Sequence, residues 1–219
     1  MAETTTATTA TSRGILFSDP LVRSILAGVK RQTRRPVRTS RGLWGRRPAP
    51  WPDGRLAEVH QRTGVNRSIP CPYGDAGQLL YVKEAHAFLD VQIDHVDRDD
   101  PCVVGFRATD TTYRVGRALG GQLEHVDLGR GNAPSRLGAF RWRPSIFCPR
   151  WASRLTLELT EVRQELVTEI SEDDALLEGL ESRAHFLDVW AKMYRGTDQA
   201  LEHAPRCWVL SFDVAEGAP

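Results

Sequence analysis

The sequence predicts an α+β domain, a small β-barrel or half-barrel with a few flanking helices, in a chain of 219 residues. Two observations carry this. Short strand patterns recur from one end to the other, and the few helical patterns between them are short. A third observation narrows it: there is no internal repeat and no apolar run of membrane-spanning length.

Residues 1–13 read as a disordered tail. The Thr/Ala-rich start lacks an apolar stretch and so does not resemble a secretory signal. Ile15, Leu16 and Phe17 suggest a first strand. Asp19 then offers an N-cap and Pro20 an N1 residue, and Leu21, Val22, Ile25 and Leu26 follow at helical spacing. Gly28 suits the C′ position, so a helix is expected over about 19–27. Residues 30–35 are expected to leave it as a loop.

Residues 36–70 hold many Pro, Gly and Arg and read as irregular, with Trp44 and Trp51 as anchors. Residues 74–77 form a turn, and 79–84 a strand. Within that strand Leu80, Val82 and Glu84 share one face. Residues 86–140 read as an insertion, with a hairpin strand over 103–107 and loop over 120–138. In 154–162, Leu155, Leu157 and Leu159 alternate with polar residues, as in a strand with one face in a core. Ser171, with Asp174 three residues on, starts a helix as a capping-box variant. Ser182 starts another, whose stripe is Phe186, Val189, Trp190 and Met193. A last strand covers 207–214, with Trp208, Leu210, Phe212 and Val214 on one face. The domain is therefore expected over 14–215, with insertions at about 36–70 and 86–140.

Composition narrows the chemistry. Hydrophobic residues make up 41% and charged residues 26%, as in soluble globular proteins. Cys71, Cys102, Cys148 and Cys207 form no C-x-x-C pair, and the six histidines form no H-E-x-x-H or H-x-E pattern. Zinc hydrolases and zinc deaminases are disfavoured, and neither metal nor cofactor is expected. Buried reduced thiols, a cytoplasmic location and a monomer are the defaults. Net charge is +1 but segregated: eleven Lys/Arg lie within 30–67 against Asp53 and Glu58, and nine Asp/Glu lie within 161–188 against Arg163 and Arg183. The first run reads either as a phosphate-contacting surface or as a solvated Arg-rich loop.

Three segments taken in order resemble a known family. They are Ala-Gly-Val-Lys-Arg-Gln-Thr-Arg-Arg at 27–35, the segment 74–85 ending in Leu-Leu-Tyr-Val-Lys-Glu-Ala, and Arg-Pro-Ser-Ile-Phe-Cys-Pro-Arg-Trp-Ala-Ser-Arg at 143–154, the last followed by a strand and Ile-Ser-Glu-Asp-Asp-Ala-Leu-Leu-Glu-Gly at 170–179. With the terminal Trp-Val-Leu-Ser-Phe, this order is similar to ASCH-domain proteins, especially the long form common in phages and prophages. The likeness spans about 14–215 and is poor over 86–140. It implies a PUA-like barrel. It also implies a site, because small bacterial ASCH enzymes hydrolyse N4-acetylcytidine using a K-x-x-T-x-R stretch and a Glu in a later helix. Here those residues are Lys30, Thr33, Arg35 and Glu178. One departure is Phe147-Cys148, where long-form relatives often carry His-Met.

Amide hydrolysis needs a nucleophile, a proton acceptor and an oxyanion partner. In the role the resemblance implies, Thr33 supplies the hydroxyl, a neutral Lys30 takes its proton, Arg35 meets the oxyanion, and Glu178 orients Lys30 or protonates the leaving amine. Arg34, Glu84, Arg154, Trp151 and Tyr194 are the expected substrate contacts, the last two by stacking on a base. Plainer readings stand beside these. Lys30, Thr33 and Arg35 also read as a basic loop that grips phosphate, Thr33 as a turn residue, and Glu178 as an exposed helix residue. Glu84 also reads as an exposed strand end or a structural partner of Arg154, and Trp151 as a core aromatic. His86 has no assigned role. The expected partner is a modified pyrimidine nucleoside or RNA, and no membrane. A non-catalytic RNA- or DNA-binding module is the alternative function. A ribonuclease ranks last, because no His pair or metal cluster supports it.

Overall fold

A computed structural model describes residues 13–38, 49–50, 56–60, 62, 66–89, 102–109, 111–117, 123–130 and 142–215. The described residues are α+β, with short strands, few helices and one mixed sheet. They fall into two compact units. The first takes the described residues up to Ala27, then Gly77–Glu158 and the chain from Asp213; the second takes Gly28–Ala76 and Leu159–Phe212.

In the first unit, β1 (Arg13–Leu16) pairs parallel with β6 (Leu79–Lys83), and β6 pairs antiparallel with the start of β11 (Thr156–Leu166). The inward positions are apolar, as the alternation predicts: Ile15, Leu80, Val82 and Leu157 are buried. Gly14 is needed where it stands, because a Cβ there would lie 2.6 Å from Lys83 Cε and 2.7 Å from the Tyr81 ring. Helix α1 (Asp19–Leu26) buries Val22 and Ile25. Its N-cap is Ser18, one residue earlier than expected, and the Asp19 carboxylate instead accepts from Arg107 Nε at 2.6 Å. Gly28 follows the C-cap at φ +71°, the left-handed conformation expected of a C′ glycine.

The same unit carries an antiparallel four-stranded sheet in the order β10 (Leu123–Arg130), β9 (Thr111–Arg117), β8 (Cys102–Phe106), β7 (His86–Leu89). The strand expected over 103–107 is β8. The stretch expected as loop over 120–138 contains β10, whose pairing with β9 supplies an order that its Gly-rich surroundings hide. Val104, Phe106, Cys148 and Ala152 form a core here, with Phe88 and Trp151 packed on it.

The second unit carries the rest of β11, then β12 (Arg206–Val214) as far as Phe212, then β2 (Gln32–Pro36). β12 and β2 run antiparallel, with Leu210 opposite Thr33 and Val209 opposite Arg34. The segment expected to be a loop after α1 is thus strand β2. Its polar side chains conceal the pattern because charge partners, and not apolar contacts, satisfy them. β3 (Ala49–Pro50), β4 (Leu56–Val59) and β5 (Asn66–Ser68) form a small antiparallel sheet inside the stretch read as irregular. Trp44 and Trp51 lie outside the described residues.

Helices α2 (Glu172–Leu177) and α3 (Arg183–Met193) begin where expected. Ser171 Oγ accepts from Asp174 N at 3.0 Å, and Ser182 Oγ accepts from His185 N at 3.1 Å. Phe186 and Trp190 of α3 pack with Val167, Ile170, Ala175, Cys207 and Val209 in the core. Met193, expected on the buried stripe, is 62% exposed because it is the last residue of the helix; Val214 at the end of β12 is 45% exposed.

Candidate functional site

The expected site residues divide between the units. Lys30, Thr33, Arg34, Arg35, Glu178 and Tyr194 belong to the second, and Glu84, Trp151 and Arg154 to the first.

Strand β2 and helix α2 build the first group. Arg31 N donates to Leu177 O at 2.9 Å, which sets the start of β2 beside the end of α2. Lys30 is only 2% exposed. Its Nζ donates to Gln32 O, to Glu178 O and to Glu178 Oε2, each at 2.7 Å. Glu178 is the C-cap of α2 and is also buried. Burial drives the Lys30 ammonium below its ordinary value; the Glu178 carboxylate opposes this, and Arg35 and Arg34 add to it.

Strand periodicity puts Gln32 and Arg34 on one face of β2 and Thr33 and Arg35 on the other. Thr33 is buried and Arg35 half-buried. On its own face, Arg34 donates to Gln32 Oε1 at 2.5 Å, to Glu165 Oε2 at 2.8 Å and to Asp174 Oδ2 at 2.7 Å. Its Nη1 lies 3.6 Å from Glu178 Oε1. The guanidinium also sits over the Phe186 ring at 5.7 Å. Arg163 completes the network, donating to Glu165 Oε1 at 2.6 Å, to Glu161 Oε2 at 2.7 Å and to Asp174 Oδ2 at 3.2 Å. Arg34, expected as a substrate contact, donates through Nη1 and Nη2 to groups of the protein itself, and its Nε is buried with no hydrogen-bond partner among the described residues. Burial raises the Asp174 carboxyl, but the bonds from Arg34 outweigh it and hold Asp174 below its usual range. Tyr194, half-buried, packs on Trp190 with ring centroids 4.5 Å apart. Burial raises its phenol, against the pull of Arg35 and Arg38.

The first unit holds the other expected residues. Glu84 is fully buried at the end of β6, as its shared face with Leu80 and Val82 predicts. Arg154 grips it with two bonds, Nε to Oε1 at 2.9 Å and Nη2 to Oε2 at 2.8 Å, while Nη1 donates to Thr109 Oγ1 at 2.9 Å. The guanidinium lies over the Phe106 ring at 4.3 Å. Burial pushes the Glu84 carboxyl up, and Arg154 pulls it back. The Trp151 ring stacks on Phe88 at 5.2 Å and a 23° tilt. His86 is buried, with Nδ1 3.2 Å from Glu84 O and Nε2 without a hydrogen-bond partner among the described residues. Burial lowers its imidazole, and the bond with Glu84 O opposes that. The Cys148 thiol is pushed up to about 11 by burial, which keeps it protonated and unreactive.

Several participants escape a reading of the sequence. Gln32, Glu165 and Asp174 hold Arg34, and only Asp174 drew notice, as a cap. One signal exists: Glu161, Arg163 and Glu165 alternate in sign along one face of β11. Thr109 carries no such signal. No family model, no curated protein and no solved structure matches the chain.

Proposed function

We propose that the chain is an amidohydrolase of the PUA-like ASCH type, removing the acyl group from an N4-acylated cytidine-type nucleoside or base. The observation that carries the reading is the buried Lys30–Glu178 pair, held at 2.7 Å on the stretch that also bears Thr33 and Arg35. A lysine and a glutamate buried together are costly, because each loses its hydration. A buried group shifted as Lys30 is by burial is the kind found where protons are moved.

The proton count closes on these residues. Ammonium with carboxylate, and amine with carboxylic acid, carry the same total charge, so the pair exchanges one proton without changing the charge of a buried site. In the second form, the Lys30 amine takes the proton of Thr33 as its Oγ attacks the acyl carbon. The Glu178 acid protonates N4 as the amide C–N bond breaks, releasing cytidine and leaving an acyl ester on Thr33. Water then attacks that ester and gives a proton to Glu178. Thr33 Oγ leaves with the proton of Lys30, and the free acid departs. Arg35 is the oxyanion partner in both halves.

A second reading has an observation in its favour. Lys30 Nζ donates to acceptors of Gln32 and Glu178 as an ammonium does, a structural arrangement compatible with a module that binds RNA or DNA without turnover. The test is incubation of the full chain with N4-acetylcytidine, read by chromatography. Cytidine release that falls by at least about 10²-fold in both Lys30→Ala and Thr33→Ala, with the fold kept, is expected. Turnover that survives both substitutions rejects the proposal. No release from the unaltered chain, together with RNA binding that weakens steeply with salt, selects the second reading.

A further inference from the structure

Arg34 has no assigned part in the chemistry above, yet it is the most deeply buried of the described arginines of this unit. Its side chain is fully buried. Three carboxylates on two elements face it: Glu165 from β11, and Asp174 and Glu178 from α2. The contacts are unequal. Asp174 and Glu165 accept at 2.7 and 2.8 Å, whereas Glu178 Oε1 stands at 3.6 Å, beyond a hydrogen bond. Glu178 Oε1 is buried and has no hydrogen-bond partner among the described residues. A buried carboxylate oxygen left open beside a cation is an expensive arrangement. Gln32 holds Nη1 of the guanidinium and Asp174 and Glu165 hold Nη2, while Nε is buried with no hydrogen-bond partner among the described residues.

We propose that Arg34 is a positioning residue, held by Asp174 and Glu165 close enough to bias the Lys30–Glu178 pair by its charge but too far to take Glu178 Oε1, which stays open to the N–H of the leaving amine. The inference rests on the amidohydrolase reading for what Oε1 accepts, but its electrostatic part stands on the geometry alone. The charged and titratable groups acting directly on the pair are Arg35 and Arg34 from β2 and Cys207 from β12; Arg34 is in turn faced by Glu165 from β11 and Asp174 from α2, and Arg163 bonds to both of those carboxylates. The Cys207 thiol, pushed up to about 12 by burial, stays neutral. Arg34 and Asp174 therefore act on Lys30 with opposite sign. Arg34 disfavours the ammonium, and Asp174 favours it by drawing the guanidinium toward itself.

The experiment is NMR titration of the full chain with 13C- and 15N-labelled lysine. The chain has only three lysines, Lys30, Lys83 and Lys192, so Lys30 is assigned by the signal lost in Lys30→Arg. Relative to the unaltered chain, Arg34→Gln is expected to raise the Lys30 midpoint, and Asp174→Asn and Glu165→Gln to lower it. Arg34→Lys, which keeps the charge, is expected to leave it nearly unchanged. A purely structural role predicts otherwise: each substitution loosens the site, admits water and moves Lys30 upward toward its ordinary value. Upward shifts in all the variants, or no shift in any, overturn the proposal. If Arg34→Gln does not fold, the downward shifts in the two carboxylate variants decide. Turnover is not read, so a chain that fails to hydrolyse N4-acetylcytidine removes the function without touching this result.

Discussion

Arg154 illustrates how much of this protein depends on single charged side chains placed out of water. Its guanidinium meets a fully buried carboxylate with two bonds and a neighbouring hydroxyl with a third. Removing the cation alone strands Glu84 in an apolar setting, where a lone charge costs far more than the pair contributes. Arg154→Met is therefore expected to destabilise the protein by about 3–5 kcal/mol in urea unfolding. The double change Glu84→Leu with Arg154→Met is expected to recover much of that. A single variant within about 0.5 kcal/mol of the parent would mean that the carboxylate finds water or a proton at little cost. At this scale sequence reasoning reached far. The shared face of Leu80, Val82 and Glu84 places Glu84 inside, and Arg154 was among its expected partners. The third bond, to Thr109, is invisible in the sequence because nothing local links residues separated by 45 positions.

At the scale of elements, helix α2 is six residues long, too short to persist without its cap and its packing. Ser171 satisfies one of its open N–H groups, and Ala175 anchors it in the core. Ser171→Ala is expected to cost about 1 kcal/mol, visible as a lowered melting temperature, and Ser171→Asp to restore most of it. No change in melting for the alanine variant would show that tertiary contacts alone hold the helix start. The cap was legible because Ser171 and Asp174 have the spacing that capping requires. Strand β2 was not legible. Gln32, Thr33, Arg34 and Arg35 carry no apolar alternation, and the strand exists because β12 supplies its hydrogen bonds and Glu165 and Asp174 supply its charge partners.

For the whole chain, net charge +1 conceals the segregation of basic and acidic runs, and the described residues include no helix long and apolar enough to cross a membrane. The pH dependence of stability is a property of this scale, and His86 makes a defined contribution. Its imidazole is lowered in the folded protein by burial, with Arg143 adding to the effect, from an ordinary value of 6.5. The unfolded chain thus binds the proton first. The contribution of His86 is complete above pH 6.5 and is lost as pH falls from there toward the lowered folded value. His86→Gln, which keeps a donor for Glu84 O but does not titrate, is expected to show a smaller loss of stability between pH 7.5 and pH 5 than the parent. Equal losses in thermal unfolding would remove this role.

The sequence by itself determined the α+β class, the caps at Ser171 and Ser182, the C′ glycine, and the inward face of β6. Each depends on residues within a few positions of one another, where spacing alone sets geometry. Only the tertiary structure decided that residues 32–36 form a strand, that Lys30 and Glu178 meet, and that Arg34 belongs to Asp174 and Glu165. Those partners are brought together by the pairing of β2 with β12 and by the placement of α2. A charge has no periodic signature, so its partner is known only once the backbone that carries it has been placed.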